Sequence, residues 1–255
     1  MYNLRNFNVH RSPIDHRDRA YKIQNVPLKL EIDLREWDSP IEDQGELGSC
    51  VSHALTSCYE LMVKKDLPDK FVELSRLYSY YHTRVLEESV NEDTGVVYIR
   101  NALKASSKYG ICQEPLWPYD IEKFKQQPSP NCYLDAAKRK ITKYQSLNTN
   151  LETLEALNQS KPVVIGMTVY DSFMTINEKN PEISMPGEYD YVIGGHAVCI
   201  VGYSLPKRQF IVKNSFGKDW GENGYCWMPF EYFDTYAFDK WMFNPDLNEN
   251  NIMLT

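Results

Sequence analysis

Apolar residues recur with helical periodicity through the first part of the chain, and residues that favour helix ends delimit these stretches. Ser75, Asn131 and Asn150 stand at positions suited to N-caps, and Gly110 stands where a helix would end. The pattern predicts helices at about 50–65, 75–88, 95–109, 131–140 and 150–159.

The second part of the chain has a different pattern, in which short continuous apolar runs are separated by turn residues. The runs lie at 163–169, 197–203 and 210–213 and predict buried strands. Helices followed by strands indicate an α+β fold with segregated layers, a mainly helical lobe (about 31–145) and a mainly β lobe (about 146–255). A cleft between two such lobes would receive an extended peptide.

Composition narrows the class of protein. With 255 residues, 42% hydrophobic and 25% charged, the chain can bury one large core or two smaller ones. No apolar run approaches the length of a membrane span, and the N-terminus lacks the apolar segment of a secretory signal. The formal charge of −7 argues against nucleic acid as the main partner. We therefore expect an intracellular location, with neither a membrane nor a nucleic acid as partner.

A turn at 44–49 leads directly into Cys50, which the periodicity places at the start of the first helix. A cysteine in the first turn of a helix faces the positive end of the helix dipole, which favours the thiolate over the thiol. We expect Ser49 to cap this helix. Cys50 is therefore the candidate nucleophile.

Three further residues complete a candidate catalytic set. His196 precedes a buried strand, so its imidazole would be held rigidly as the partner of the thiolate and the general acid. Asn214 would fix the second ring nitrogen, as in the Cys-His-Asn variant of the triad. Gln44 would donate its amide to the oxyanion together with the backbone N–H of Cys50. Each residue alone is more typical of a protein core, but their joint occurrence in this order favours catalysis.

These residues and their flanks resemble papain-like cysteine peptidases over roughly residues 30 to 230. The separation between Cys50 and His196 fits the family, and the segments 32–35, 102–111, 117–119 and 221–225 extend the likeness. The resemblance implies a two-lobed fold with the active-site cleft between a helical lobe and a β-barrel-like lobe. It also implies a thiol endopeptidase that acts on peptides or proteins through an acyl-enzyme, with no metal and no cofactor. Bacterial and large-virus members are the most similar in style, so a virion-associated location is the alternative to an intracellular one.

The resemblance assigns substrate-binding positions to Gly95, Gly166, Gly194, Gly195 and Trp220. Two of these glycines, Gly166 and Gly194, replace the larger side chains of many relatives and would leave a wide apolar pocket. The alternative is that Tyr98, Ile99 or an aromatic residue from 232 to 241 folds in and fills that space. Val51 and Phe216 stand where relatives have tryptophan, which bears on rate and pH profile more than on the type of reaction.

The remaining features leave alternatives open. Residues 1–30 form a polar extension, either a gate over the cleft and short pro-segment or a strap on the back of the β lobe. Leu47 replaces a cysteine of one family disulfide, and the other spacings suggest reduced thiols. His53 is interpreted as a packing or polar residue, and the other histidines outside the site as surface or local hydrogen-bonding groups. A noncatalytic peptide-binding module and an acyl transferase are the alternative functions.

Overall fold

The computed structural model describes residues 7–247. The helices of this range pack together on one side of the molecule, apart from the fifth and sixth, which lie against the sheet. The α-helices are Cys50–Asp66 (α1), Arg76–Leu86 (α2), Ile99–Tyr109 (α3), Pro130–Ala136 (α4), Asn150–Asn158 (α5) and Phe230–Tyr236 (α6).

The strands form one antiparallel sheet in the order β2-β7-β3-β4-β5-β6, and β1 adds to β4. The two-lobed α+β architecture expected from the sequence is confirmed. The strands are Glu31–Asp33 (β1), Ile141–Leu147 (β2), Val163–Tyr170 (β3), Val192–Ser204 (β4), Gln209–Lys213 (β5), Tyr225–Pro229 (β6) and Ala237–Pro245 (β7).

Helix α1 is the central element, because it packs against β4 and β3 on one side and against α2 and α3 on the other. Every residue from Cys50 to Met62 is buried, as expected for a helix that is covered all round. Strand β4 is likewise buried from His196 to Ser204. The start of α1 and the start of the buried part of β4 therefore meet where the two lobes face each other. Within residues 7–247 no helix has the length and apolar character that crossing a membrane requires.

Two helix ends lie where the sequence placed them. Ser75 caps α2 by accepting a hydrogen bond from the Tyr78 N–H, and Gly110 ends α3 with a φ of 75°. Helix α3, however, begins at Ile99 and not near residue 95. The reason is that the preceding residues are engaged elsewhere: Gly95 has a φ of 72°, and the Val96 N–H donates to the Gly48 carbonyl.

Two predicted caps are wrong by one or two residues. Helix α5 is capped by Thr149, which exchanges hydrogen bonds with Glu152 in a capping box, and Asn150 is the first residue inside the helix. Helix α4 begins at Pro130 with Ser129 before it, so Asn131 also lies inside the helix. Proline at the first helical position is favourable because its missing N–H has no partner there in any case.

Strands β1, β2, β6 and β7 have no counterpart among the predicted runs. Their burial alternates or is partial along much of their length, so they lack the continuous apolar character of β3 and β4. Strand β2 starts at Ile141, and β1 pairs with β4. Both ends of the range predicted for the helical lobe, about 31–145, therefore belong to the sheet.

Candidate active site

Cys50 is the first residue of α1 and only 1% of its surface is exposed. The backbone N–H of Ala197, the residue after His196, faces the thiol from β4. The sulfur therefore lies between the start of the central helix and the peptide group that follows the histidine. Burial raises the pKa of the Cys50 thiol to about 11, and the backbone N–H groups of Ala197 and Val51 lower it only in part.

Ser49 stands at the N-cap position, but its hydroxyl does not cap the helix. Its Oγ is 2.6 Å from the Tyr119 hydroxyl and 3.3 Å from His53 Nδ1. The Tyr119 hydroxyl also donates to the carbonyl of Gln44 over 2.9 Å. Tyr119 thus ties together both ends of the turn at 44–49, a role that the sequence analysis did not assign to it.

His53 is buried one turn into α1, with its ring edge-on to Tyr119 at a centroid distance of 4.9 Å. Burial lowers the pKa of His53 to about 3, so the imidazole is neutral. Its Nδ1 lies 3.1 Å from the Ser49 carbonyl. These contacts agree with the packing role expected from the sequence. Of the other histidines, His10 is exposed, whereas His82 is buried and its Nδ1 lies within hydrogen-bond distance of the Tyr78 carbonyl.

His196 is fully buried and its Nε2 lies 2.8 Å from Asn214 Oδ1. The same oxygen accepts a 2.8 Å hydrogen bond from the Ser215 N–H, which fixes the orientation of the amide. Because an amide oxygen can only accept, Nε2 carries the proton and the imidazole presents Nδ1 as the other nitrogen for proton exchange. The structure therefore brings His196 and Asn214 into the geometry that their proposed roles require.

Aromatic rings enclose this imidazole. Phe216 lies 5.0 Å from the His196 ring and Phe173 lies 5.9 Å from it, measured between centroids. Trp220 is 1% exposed and packs against Phe216 and Phe173, so it supports these rings from behind. That position differs from the direct substrate contact expected for Trp220, because the indole is buried beneath its aromatic neighbours.

The amide of Gln44 is fixed on both sides and is 2% exposed. Its Oε1 accepts a 2.6 Å hydrogen bond from the Ser215 hydroxyl, and its Nε2 donates to the Leu47 carbonyl over 2.9 Å. The Gln44 N–H also donates to the Ser215 carbonyl. An amide nitrogen carries two hydrogens, so one remains for an oxyanion after the bond to Leu47. Ser215 thus links the Gln44 loop to Asn214.

Residues 7–10 lie across the cleft and not on the back of the β lobe, and from here on we call this segment the strap. On the β4 side, the Gly195 N–H donates to the Phe7 carbonyl over 3.0 Å and the Val9 N–H donates to the Gly195 carbonyl over 3.2 Å. On the opposite side, the His10 N–H donates to the Val97 carbonyl, and Asn8 Nδ2 donates to the Thr94 carbonyl. The strap therefore bridges the two walls of the site.

The strap also covers the imidazole. The Phe7 ring meets His196 edge-on with a centroid distance of 5.5 Å, and Val9 is 3% exposed. Two of the glycines expected to bind substrate make room for this segment. A Cβ at Gly194 would lie 2.3 Å from the Phe7 carbonyl oxygen, and a Cβ at Gly195 would lie 1.8 Å from that of Val9. These positions accept closely approaching extended backbone.

The other two glycines have different surroundings. Gly95 has a left-handed φ and contacts Gly48 beside the strap. Gly166 faces Phe238, which is its partner in the β3–β7 pairing, and a Cβ at Gly166 would lie 2.5 Å from Cε2 of that ring. The wide space expected at Gly166 is therefore filled by an aromatic side chain of β7, which is the alternative that the sequence left open. At Gly194 the equivalent space is filled by Phe7.

Comparison with known proteins gives a consistent result. A family model described as papain family cysteine protease matches residues 28–236. A peptidase C1-like protein of Acanthamoeba polyphaga mimivirus is 39% identical over 213 residues, which are 78% of this chain and 68% of that protein. Chymopapain of Carica papaya is 27% identical over 226 residues, which are 83% of this chain and 57% of chymopapain. The crystal structure of xylellain, a cysteine protease from Xylella fastidiosa, superposes with a TM-score of 0.83 at 32% identity and covers 96% of this chain and 97% of that one.

Proposed function

The chain belongs to the papain family of cysteine proteases, and on that premise we propose that it is an endopeptidase in which Cys50 is the nucleophile. The observation that carries this proposal is the hydrogen-bonded pair His196–Asn214 beside the helix start that bears Cys50. The strap supports it as well, because its extended backbone occupies the cleft through hydrogen bonds that any peptide can form.

In the proposed reaction His196 Nδ1 takes the proton of the Cys50 thiol, and the thiolate attacks the carbonyl carbon of the scissile bond. The oxyanion accepts hydrogen bonds from Gln44 Nε2 and from the Cys50 N–H. His196 then protonates the leaving amine, which leaves an acyl group on the sulfur. Water, deprotonated by the same imidazole, hydrolyses this thioester and regenerates the thiol. Asn214 accepts from Nε2 throughout and keeps the ring in place.

We further propose that the strap holds the enzyme in a latent form. With the strap seated, the Cys50 thiol is buried and its raised pKa keeps it protonated at neutral pH. The strap also occupies backbone groups of Gly195 and Val97 that an extended substrate would use. Residues 1–30 then act as the gate that was one of the two expectations from the sequence, although residues 20–25 run on along β2 and α5.

Mutation of the nucleophile tests the proposed reaction. Cys50→Ala should lower hydrolysis of an internally quenched peptide library by at least about a thousandfold, because no other group replaces the sulfur. Cys226→Ala is the matched control, since Cys226 is equally buried but lies in β6. An epoxysuccinyl inhibitor should form one adduct, on Cys50. Turnover by purified Cys50→Ala would refute the assignment.

Product analysis separates the proposed peptidase from an acyl transferase that uses the same residues. In the presence of an added primary amine, a peptidase should still release mainly the free acid, whereas a transferase should release mainly the amide. The catalytic residues could serve either reaction, because both begin with the same acyl-enzyme.

A further inference from the structure

Two cysteines outside the proposed catalytic set meet in the core between the lobes. Cys58 on α1 and Cys199 on β4 place their sulfur atoms 2.7 Å apart, and both side chains are buried. Atoms that are not bonded attract down to about 3.5–4.0 Å for carbon, and sulfur is larger. A disulfide bond measures about 2.05 Å. The observed separation is thus too short for a resting contact and well under 1 Å from a bond.

We propose that Cys58 and Cys199 are joined by a disulfide that ties the nucleophile helix to the histidine strand. Cys58 lies about two turns beyond Cys50 on α1, and Cys199 lies three residues beyond His196 on β4. The bond would therefore fasten these two elements directly beneath the proposed catalytic pair. This pairing was not predicted from the sequence, because the two cysteines are 141 residues apart.

The backbone around both residues belongs to regular structure, so the two side chains start from fixed positions on the helix and the strand. Cys58 lies in the buried part of α1. Cys199 is paired with Val164 of β3 on one side and with Lys213 of β5 on the other. The distance still to be closed is well under 1 Å, and both side chains lie in a close-packed core that leaves little room for the sulfurs to turn away from each other.

The oxidant that the bond requires is a low-molecular-weight disulfide such as oxidised glutathione. One cysteine thiolate attacks that disulfide, forms a mixed disulfide and releases one thiolate of the small molecule. The second cysteine thiolate then attacks the protein sulfur and releases the other. In sum the protein loses two hydrogens, and the oxidant is reduced to two thiols.

Burial decides when this exchange takes place. It raises the pKa of the Cys58 thiol well above its ordinary value, and neither sulfur is accessible in the folded protein. The exchange must therefore occur during folding, before α1 closes on the sheet. Once formed, the bond is shielded from reductants by the same burial and should be reduced only when the protein unfolds.

Peptide mapping tests the bond without relying on activity, so its outcome is independent of the proposed peptidase function. The full chain with Cys50→Ala is refolded from the reduced, denatured state in a mixture of reduced and oxidised glutathione. It is then alkylated in denaturant without reduction and digested with trypsin. In this background the peptides 36–64 and 180–207 each contain a single cysteine, Cys58 and Cys199 respectively.

The expected product is one species that joins these two peptides, two hydrogens lighter than their sum, and that separates on reduction. Adding Cys58→Ser or Cys199→Ser should abolish it, whereas Cys226→Ser, the matched buried control, should leave it unchanged. Recovery of both peptides in alkylated form would overturn the proposal, and so would linkage of either to another cysteine.

Thermal unfolding of the parent protein gives a second measurement of the same bond. A bond that closes a loop of well over 100 residues should raise the Tm on the order of 10 °C relative to the same protein refolded with reductant present. The double variant Cys58→Ala, Cys199→Ala should show no dependence of its Tm on the reductant. Equal Tm values for the oxidised and reduced forms of the parent would show that the sulfurs are not bonded.

Discussion

Removal of the strap should relieve inhibition by acting on substrate binding more than on the chemical step. The perturbation is deletion of residues 1–10, which leaves the following anchors of the N-terminal segment in place. These anchors are the hydrogen bond from Ser12 to Asp239 and those from Arg100 to Pro13 and Asp18. The deletion removes the Phe7 ring from His196 and the backbone hydrogen bonds of the strap from Gly195 and Val97.

The size of the effect follows from the contacts of the seated strap. Its three backbone hydrogen bonds and the one from Asn8 contribute a net of about 4 kcal/mol at about 1 kcal/mol each. Burial of Val9 and the ring contact of Phe7 add about 3 kcal/mol. Ordering the backbone of residues 7–10 costs about 5 kcal/mol. The form with the strap bound in the cleft is therefore more stable than the open form by about 2 kcal/mol. This difference corresponds to a population ratio of about 30 in favour of the bound form.

An intramolecular segment that competes with substrate raises the apparent KM by its occupancy and leaves kcat unchanged at saturation. Deleting residues 1–10 should therefore lower KM for a fluorogenic peptide by about 30-fold at constant kcat. Ile14→Ala is the matched control within the same N-terminal segment, because its side chain is 91% exposed. It should leave both constants unchanged.

The reactivity of Cys50 gives an independent readout of the same deletion. At pH 7 a thiol with a pKa of about 11 is ionised in about one molecule in ten thousand, whereas an unperturbed thiol is ionised in about three in a hundred. Removing the strap admits water to the cleft, so alkylation by iodoacetamide should be faster after deletion and its midpoint should lie at lower pH. Identical KM values and identical pH midpoints in the full and truncated chains, with unchanged circular dichroism, would refute the gating role.

Three further outcomes are expected. Gln44→Ala should lower kcat by about a hundredfold with KM little changed, since an oxyanion donor contributes about 2.7–4 kcal/mol in the transition state. An unchanged kcat would show that Gln44 does not donate to the oxyanion. Phe238→Ala should open the space beside Gly166 and shift cleavage-site profiles toward bulkier apolar side chains, with the exposed Tyr189→Ala as control; identical profiles would show that Phe238 does not line the pocket. Burial holds the pKa of His53 near 3 and that of His82 near 4, both below the value in the unfolded state. The unfolded state therefore binds more protons than the folded state below about pH 6.5. The free energy of unfolding should fall as the pH drops from about 6.5 toward those two pKa values. His53→Gln should reduce this decrease in the free energy of unfolding by up to a few kcal/mol, whereas His16→Gln, at an exposed position, should not. An equal pH dependence in both variants would contradict the assignment of the decrease to His53.

The local features of the site could be predicted from the sequence because each depends on near neighbours in the chain. Cys50 follows a glycine-containing turn and opens an apolar helix, so its place at a helix start follows from periodicity. His196 precedes a long buried run. Ser75 caps the start of α2 through its hydroxyl, and Gly110 ends α3 because glycine accepts a positive φ. The order of Gln44, Cys50, His196 and Asn214 supplied the remaining part of the prediction.

Contacts between residues far apart in sequence were decided only by the tertiary structure. Phe238 fills the space at Gly166 because β7 is inserted beside β3, and the register of that pairing leaves no trace in the local pattern. Tyr119 reaches Ser49 across 70 residues and takes the hydroxyl that would otherwise cap α1.

By itself, then, the sequence determined the helical and β layers and the start of α1, and it named the groups that we propose for the chemistry. The tertiary structure decided whether those groups are accessible, since the strap lies over His196, and it decided which sulfurs meet, since Cys58 and Cys199 come together only when α1 packs on β4. The physical reason is that periodicity and capping act within a few residues, whereas burial and the pKa of Cys50 depend on every segment that excludes water from the site.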